Sequence, residues 1–137
     1  MQANAEALPF PDASFDVAFE ANLLHHVPNP AKVIGEMARV SKEAVVVIEP
    51  KRNNPVMFAF SLLVAAERGG LRFTRRFLED LLSASDLNVL YFWATGMISQ
   101  NNTPRLLVPL LQLFDVDFFL GEYHVSITAK VRPKPRS

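Results

Sequence analysis

Leu8-Pro-Phe-Pro-Asp-Ala-Ser-Phe-Asp-Val-Ala-Phe-Glu-Ala21 opens the stretch that decides the fold. Leu24-His-His-Val27, Asn29-Pro30 and Ala44-Val-Val-Val-Ile-Glu-Pro50 complete it. From Phe15 to Ala21, β-forming residues recur at every second position, which predicts a strand. Asn29 is suited to cap a helix and Pro30 to occupy its first position. Val33, Ile34, Met37 and Val40 then make an apolar stripe at helical spacing, with Lys32, Glu36 and Arg39 on the other side. Val45 to Ile48 are β-branched without a break, as in a strand covered on both faces, and Pro50 stops it. Strand, helix, strand within this span predicts a βαβ unit with parallel strands.

Downstream, the expected elements are helices and two more strands. Asn53-Asn-Pro55 starts a helix from Val56 to Arg68, apolar almost all round and ended by Gly69-Gly70. Thr74 caps a helix with the stripe Phe77, Leu78, Leu81 and Leu82. Leu87 to Ala94 reads as a strand. Thr103-Pro104 starts another apolar helix, which Pro109 kinks or splits. Last, Tyr123, Val125, Ile127, Ala129 and Val131 alternate with His124, Ser126, Thr128 and Lys130, predicting an antiparallel strand whose polar set forms the wetter face.

Composition limits the function classes. The chain has 137 residues, half of them hydrophobic, with 14 basic residues balancing 14 acidic ones. That is enough for one domain with a core, and the balanced charge offers no long-range field for nucleic acid. The basic run Lys130 to Arg136 reads as a solvated tail. There is no cysteine, hence no disulfide and no thiolate chemistry, which fits a reducing compartment. With no signal-peptide pattern at the N-terminus, the expected location is cytoplasmic. The longest apolar run, Val56 to Ala66, falls short of the ~20 residues a membrane span needs.

The run from Leu8 to Val17, with Leu24-His-His-Val27 and Glu36-Met-Ala-Arg-Val40, resembles class I S-adenosylmethionine (SAM) methyltransferases of the type 11 family. The resemblance is close over Asn4 to Pro50 and extends to the rest in element order. It implies a partial Rossmann-like α/β fold with sheet order 4-5-7-6 in the family's strand numbers, the last strand antiparallel. Residues 1–137 would form a single domain, the C-terminal half of that fold, with 53–72 and 97–120 as helical insertions that build a substrate lid. The implied cofactor is SAM and the implied substrate a small molecule.

Site residues follow from the same resemblance. Asn4 and Ala5 stand where the family binds the adenine edge. Ala21 and Asn22 lie just past the first strand, against the cofactor, and His26 belongs to the same side. His25 and Glu49 are the candidate catalytic groups on the substrate side. For Glu49 a rim salt bridge to Lys51 or Arg52 is the plainer alternative. His25 and His26 with His124 make a weak metal set, because neighbouring histidines usually point apart and no cysteine or close carboxylate completes the ligands. No metal is expected.

The family's glycine-rich loop lies upstream of Leu8. The five glycines here, Gly35, Gly69, Gly70, Gly96 and Gly121, make no such loop. The chain is therefore expected to be incomplete and inactive as a monomer. Without the family's first strand, Phe15 to Ala21 becomes an apolar edge open to a second copy or to an N-terminal half in trans. The alternative function is a non-catalytic α/β module that dimerises through that edge.

Overall fold

A computed structural model describes residues 2–95, 105–107, 109–110 and 123–130. Four strands form one mixed sheet in the order β1-β2-β4-β3. They are β1 (Phe15–Ala21), β2 (Ser41–Pro50), β3 (Leu87–Thr95) and β4 (Tyr123–Lys130). β1 and β2 pair in parallel, and β4 runs antiparallel between β2 and β3. This is the expected order, 4-5-7-6 in the family's numbers. β1, β2 and β3 therefore point the same way, and their carboxyl-terminal ends share one edge of the sheet.

The βαβ unit forms as its residues predict. α1 (Pro30–Val40) is capped by Asn29, whose side chain accepts a hydrogen bond from the Lys32 amide at 3.2 Å. It buries Val33, Ile34, Met37, Ala38 and Val40. α3 (Arg75–Ser83) is capped by Thr74, which accepts from the Phe77 amide at 3.1 Å, and buries Leu78, Leu81 and Leu82. Both helices lie over the sheet face that carries Val45 and Val47, and Leu24, Phe73 and Leu87 complete this core.

Three expectations are corrected. The helix expected over Val56 to Arg68 breaks at Val64. α2 (Pro55–Leu63) is followed by a 3₁₀ helix, Ala65–Arg72, that runs through Gly69 and Gly70 instead of ending there. The cause is close packing: a Cβ at Gly69 would overlap the carbonyl oxygen of His25, so only glycine lets this turn dock. Secondly, α2 is not covered on several sides by the described residues, since Phe58, Phe60 and Leu63 stay exposed. Thirdly, the polar set of β4 lies inside, while of the apolar set only Val125 is fully buried among the described residues. His124, Ser126 and Thr128 are the buried set, and Ile127 and Ala129 are half-buried. Thr128 tolerates the interior because its hydroxyl donates to the Val45 carbonyl at 2.8 Å. The helix expected from Thr103 and most of the 97–120 insertion lie outside the described residues.

One feature of the N-terminal segment had no signal in the helical pattern. Arg39 donates to the Leu8 and Phe10 carbonyls and to Asp12, and it pairs with Glu36. Glu36 in turn accepts from the Leu8 amide at 2.7 Å. Its hydrogen bonds from Arg39 and Leu8 hold Glu36 down at about 2. The polar side of α1 thus fixes the Leu8–Asp12 turn and aims β1.

Candidate functional site

The carboxyl-terminal ends of β1 and β2 set the first half of the site. β1 ends at Ala21, which is exposed, and Asn22 follows in the left-handed region with φ of 57°. Asparagine accepts this conformation more readily than most residues. The Asn22 amide still donates to Ile48 at 2.8 Å, so the strand pairing holds it in place. Its side-chain oxygen is buried and has no hydrogen-bond partner. A polar oxygen left so is costly unless a ligand donates to it.

His25 and Glu49 meet in the interior. Glu49 is fully buried; one oxygen accepts from the Leu24 amide and the other meets His25 Nδ1, both at 2.6 Å. His25 Nε2 faces Glu67 of the 3₁₀ helix at 3.2 Å. Each ring nitrogen faces a carboxylate, and the doubly protonated ring satisfies both. Burial works against that charge, but the hydrogen bond to Glu49 and the charges of Glu49 and Glu67 outweigh it, and His25 is shifted upward. Glu20, on β1, is buried beside Glu49. Desolvation first, then the Glu49 charge, push it up to about 9, so it is neutral at pH 7.

Of the cofactor-side residues, His26 is exposed, its Nδ1 3.2 Å from the Ala66 carbonyl and its ring 3.9 Å from that of His25. The neighbouring rings therefore lie together instead of pointing apart. Glu67 supplies the carboxylate that the sequence did not reveal, and one donor atom each from His25, His26 and Glu67 fall within 4.8 Å of one another. His25 Nε2 and Glu67 are already paired with each other, and His124 is not in this group. Asn4 is exposed and its oxygen accepts from the Glu6 amide at 2.9 Å, a local turn that leaves a second lone pair. Ala5 lines an apolar cavity of about 210 Å³ with Leu8, Phe19 and Leu23. The structure thus sets Ala21, Asn22 and the His25–Glu49 pair along one edge, with Ala5 in a cavity that also runs along β1.

A second cavity lies farther along the same edge. Lys51 and Asn53 follow β2, Ala94 lies near the end of β3, and His124 near the start of β4. Together with Arg75, Phe92 and Trp93 they line a space of about 440 Å³. The alternation of β4 was the available signal, had its polar set been placed inside.

The orphaned oxygen of Asn22, the exposed strand end at Ala21 and the apolar wall at Ala5 suit a ligand with polar edges and a flat apolar ring. Open α/β sheets bind ligands at this edge. Residues 1–48 match the family described as a methyltransferase domain. The 27-O-demethylrifamycin SV methyltransferase of Amycolatopsis mediterranei (strain S699) is 53% identical over 38 residues, 28% of this chain and 14% of that enzyme. Among solved structures, a SAM-dependent methyltransferase of Thermotoga maritima, described as a possible histamine N-methyltransferase, superposes with a TM-score of 0.71 and 17% identity. The match covers 96% of this chain and 63% of that one. A SAM-dependent methyltransferase of Methanosarcina mazei gives a TM-score of 0.65 at 21% identity over 94% of this chain and 65% of that one. The chain therefore spans less than two thirds of the length of these relatives. Residues 1–48 thus match the methyltransferase-domain family in sequence, and nearly the whole chain shares the fold of SAM-dependent methyltransferases, whose cofactor is SAM.

Proposed function

We propose that this chain supplies one side of a site for methyl transfer to a small molecule. The observation that carries the reading is the buried, unpartnered oxygen of Asn22, held at the end of β1 where the fold binds ligands. Bound there, SAM would supply a methyl group on a positively charged sulfur, which would leave with the carbon–sulfur electron pair as the acceptor's lone pair bonds to carbon and the acceptor gives up a proton. Asn22 and the backbone at Ala21 would hold the cofactor, with Asn4, Ala5 and the exposed His26 beside it.

The His25–Glu49 pair has a positioning role in this reading. In the doubly protonated form both nitrogens of His25 donate to carboxylates, and the ring then keeps no lone pair to take a proton. The pair instead ties the Leu24–His26 loop to the end of β2. Orientation of reactants and exclusion of water then make up the protein's part. The 53–72 segment, docked through Gly69 and Glu67, is suited to cover the acceptor.

A second reading is favoured by one specific observation. β1 is an edge strand of the sheet, and Phe15, Val17 and Phe19 are 42%, 48% and 63% exposed. An apolar edge of this kind pairs readily with another strand. The chain would then serve as an interaction module, or would complete its site with a second copy or an N-terminal half in trans.

Calorimetric titration with S-adenosylhomocysteine tests the first reading. Micromolar binding that is lost in Asn22→Ala and weakened in Asn4→Ala is expected. Binding indifferent to both substitutions would overturn the assignment of these residues. Sedimentation analysis tests the second: Phe19→Lys should dissociate any dimer built on β1.

A further inference from the structure

His124 is 4% exposed, yet among the described residues neither of its ring nitrogens has a hydrogen-bond partner. Ser126, the next inward position on β4, is fully buried and its hydroxyl is equally unpartnered. The His124 ring lines the 440 Å³ cavity with Lys51, Asn53, Arg75, Phe92 and Trp93. That space far exceeds a single water and falls within the size range of small-molecule sites. Neither cation of the wall awaits a ligand. Arg75 pairs with Glu79 at 2.8 Å and lies over the Phe92 ring, 4.8 Å from its centroid. Lys51 is buried and already engaged. What this cavity leaves unmet is an imidazole, not a charge.

A buried imidazole with two idle nitrogens is costly, and native interiors rarely leave one so. Burial first, then the charges of Lys51 and Arg75, depress His124 to about 4, so the ring is neutral at pH 7. A neutral imidazole offers one donor and one acceptor. A hydroxyl group both donates and accepts, so it suits either nitrogen in either tautomer. A carboxylate only accepts, and here it would shed its hydration with no unpaired cation to receive it. A cationic ligand would meet the like charges of Lys51 and Arg75. A neutral hydroxyl compound is what remains, and the aromatic walls at Phe92 and Trp93 suit a ring behind the hydroxyl.

We propose that this cavity is the acceptor subsite and takes a small neutral ring compound, its hydroxyl on a nitrogen of His124 and its ring against Phe92 and Trp93. The name "acceptor" rests on the methyl-transfer reading; the neutral hydroxyl site itself does not. The cavity lies at the same carboxyl-terminal edge as Asn22, over β2, β4 and β3, so cofactor and acceptor would lie side by side.

Trp93 is the only tryptophan in the chain and so reports on the cavity directly. The full chain is titrated with 4-hydroxybenzyl alcohol and, separately, with 4-hydroxybenzoate, following Trp93 fluorescence. Saturable binding of the alcohol with a Kd of about 1 mM or below is expected, about tenfold or more tighter than the carboxylate. In nuclear magnetic resonance of the chain carrying isotope-labelled histidine, the alcohol should move the ring-nitrogen signals of His124 and leave those of His25 in place. His124→Phe should weaken the alcohol about tenfold, with its urea midpoint showing that the fold is kept. Should that variant not fold, the His124 nitrogen signals of the unaltered chain decide alone. Carboxylate binding as tight as that of the alcohol, no saturation with the alcohol by about 10 mM, or saturation that leaves the His124 signals unmoved would overturn the proposal. The same samples are titrated with S-adenosylhomocysteine. If it binds and the alcohol does not, the neutral subsite falls and the methyltransferase reading stands. If the alcohol alone binds, the site stands and its name as acceptor subsite falls.

Discussion

His25 and His124 are both buried to 4% exposure at the carboxyl-terminal edge of one sheet, yet their surroundings have opposite sign. His25 sits between Glu49 and Glu67 and is shifted upward; His124 sits near Lys51 and Arg75 and is shifted down to about 4. The residue registered opposite His124 across the β2–β4 pair is Glu49, the main partner of His25. The electrostatic character of the edge thus reverses within about one strand spacing. Burial pushes both imidazoles toward neutrality, and the neighbouring charges decide which one keeps its proton. One histidine is spent on holding the loop past β1, and the other is left with hydrogen bonds to give.

The comparison breaks most sharply at Glu49. Glu49→Gln removes the buried counter-charge of His25 and is expected to cost about 3–5 kcal/mol of unfolding free energy at pH 7. Urea unfolding measures it, and the His25→Gln, Glu49→Gln double variant should lose less than the two single changes together. A loss under about 1 kcal/mol would mean that His25 is not held as an ion pair.

pH separates the two sites in opposite directions. His124 has a folded value of about 4 against an ordinary 6.5, so the unfolded chain takes up its proton first. That contribution is present above pH 6.5 and is lost as pH falls toward 4, in total about 3 kcal/mol. His124→Phe should abolish this acid-side slope. His25 has its value raised, so its contribution is full below 6.5 and is lost as pH rises through the folded value. His25→Gln should flatten that alkaline-side loss instead. If His124→Phe leaves the stability profile between pH 4 and 6.5 unchanged, the positive field around His124 is absent.

Gly69 tests how the carboxylate half of the comparison is assembled. Gly69→Ala drives a Cβ into the His25 carbonyl oxygen and should cost about 1–3 kcal/mol in thermal unfolding. At Gly70→Ala the one tight contact is the Ser61 hydroxyl at 3.0 Å, a side-chain end, with Pro50 Cβ at an ordinary 4.0 Å, so the change should cost less. Equal losses at the two positions would show that the 3₁₀ helix is not docked on the His25 loop.

Much of the fold was legible because periodicity and caps are local signals. Phe15–Ala21 was read to the residue, and Asn29 and Thr74 cap the helices they were expected to cap. Alternation along β4 showed that its two faces differ but not which one turns inward. Ser126 and Thr128 looked like a wet face, and hydrophobicity alone favours that choice. The interior accepted them because α1 and α3 cover that face and a neighbouring strand carbonyl takes the Thr128 hydroxyl. His124 belongs to the same polar set, so the second cavity that it lines has no local signal either. Glu67 stayed hidden for another reason: it lies 42 residues from His25 and reaches it only through a 3₁₀ helix that the sequence suggested as α-helix. Glu49 was found, but as a rim or cleft group. Its turn inward depends on Leu24 and His25 folding back over the end of β2, a long-range contact that no local pattern encodes.

Glu20 gives the finest test of the carboxylate side. It and Glu49 face each other, and only one of two buried neighbouring carboxyls is readily ionised. Burial first, then the neighbouring Glu49, keep Glu20 protonated, with its value near 9 against an ordinary 4.5. The folded chain then holds a proton that the unfolded chain has released throughout that window. Stability should fall as pH rises from 4.5 to 9, by at most about 1.4 kcal/mol per pH unit. Glu20→Gln keeps the size and the neutral character, so it should raise stability at neutral and alkaline pH and flatten that slope. His25 should stay charged, because its partner is unchanged. An unchanged profile in Glu20→Gln would mean that Glu20 is the ionised member of the pair; His25 would then owe its proton to Glu67 alone, and the contrast with His124 would rest on the 3₁₀ helix instead of on β2.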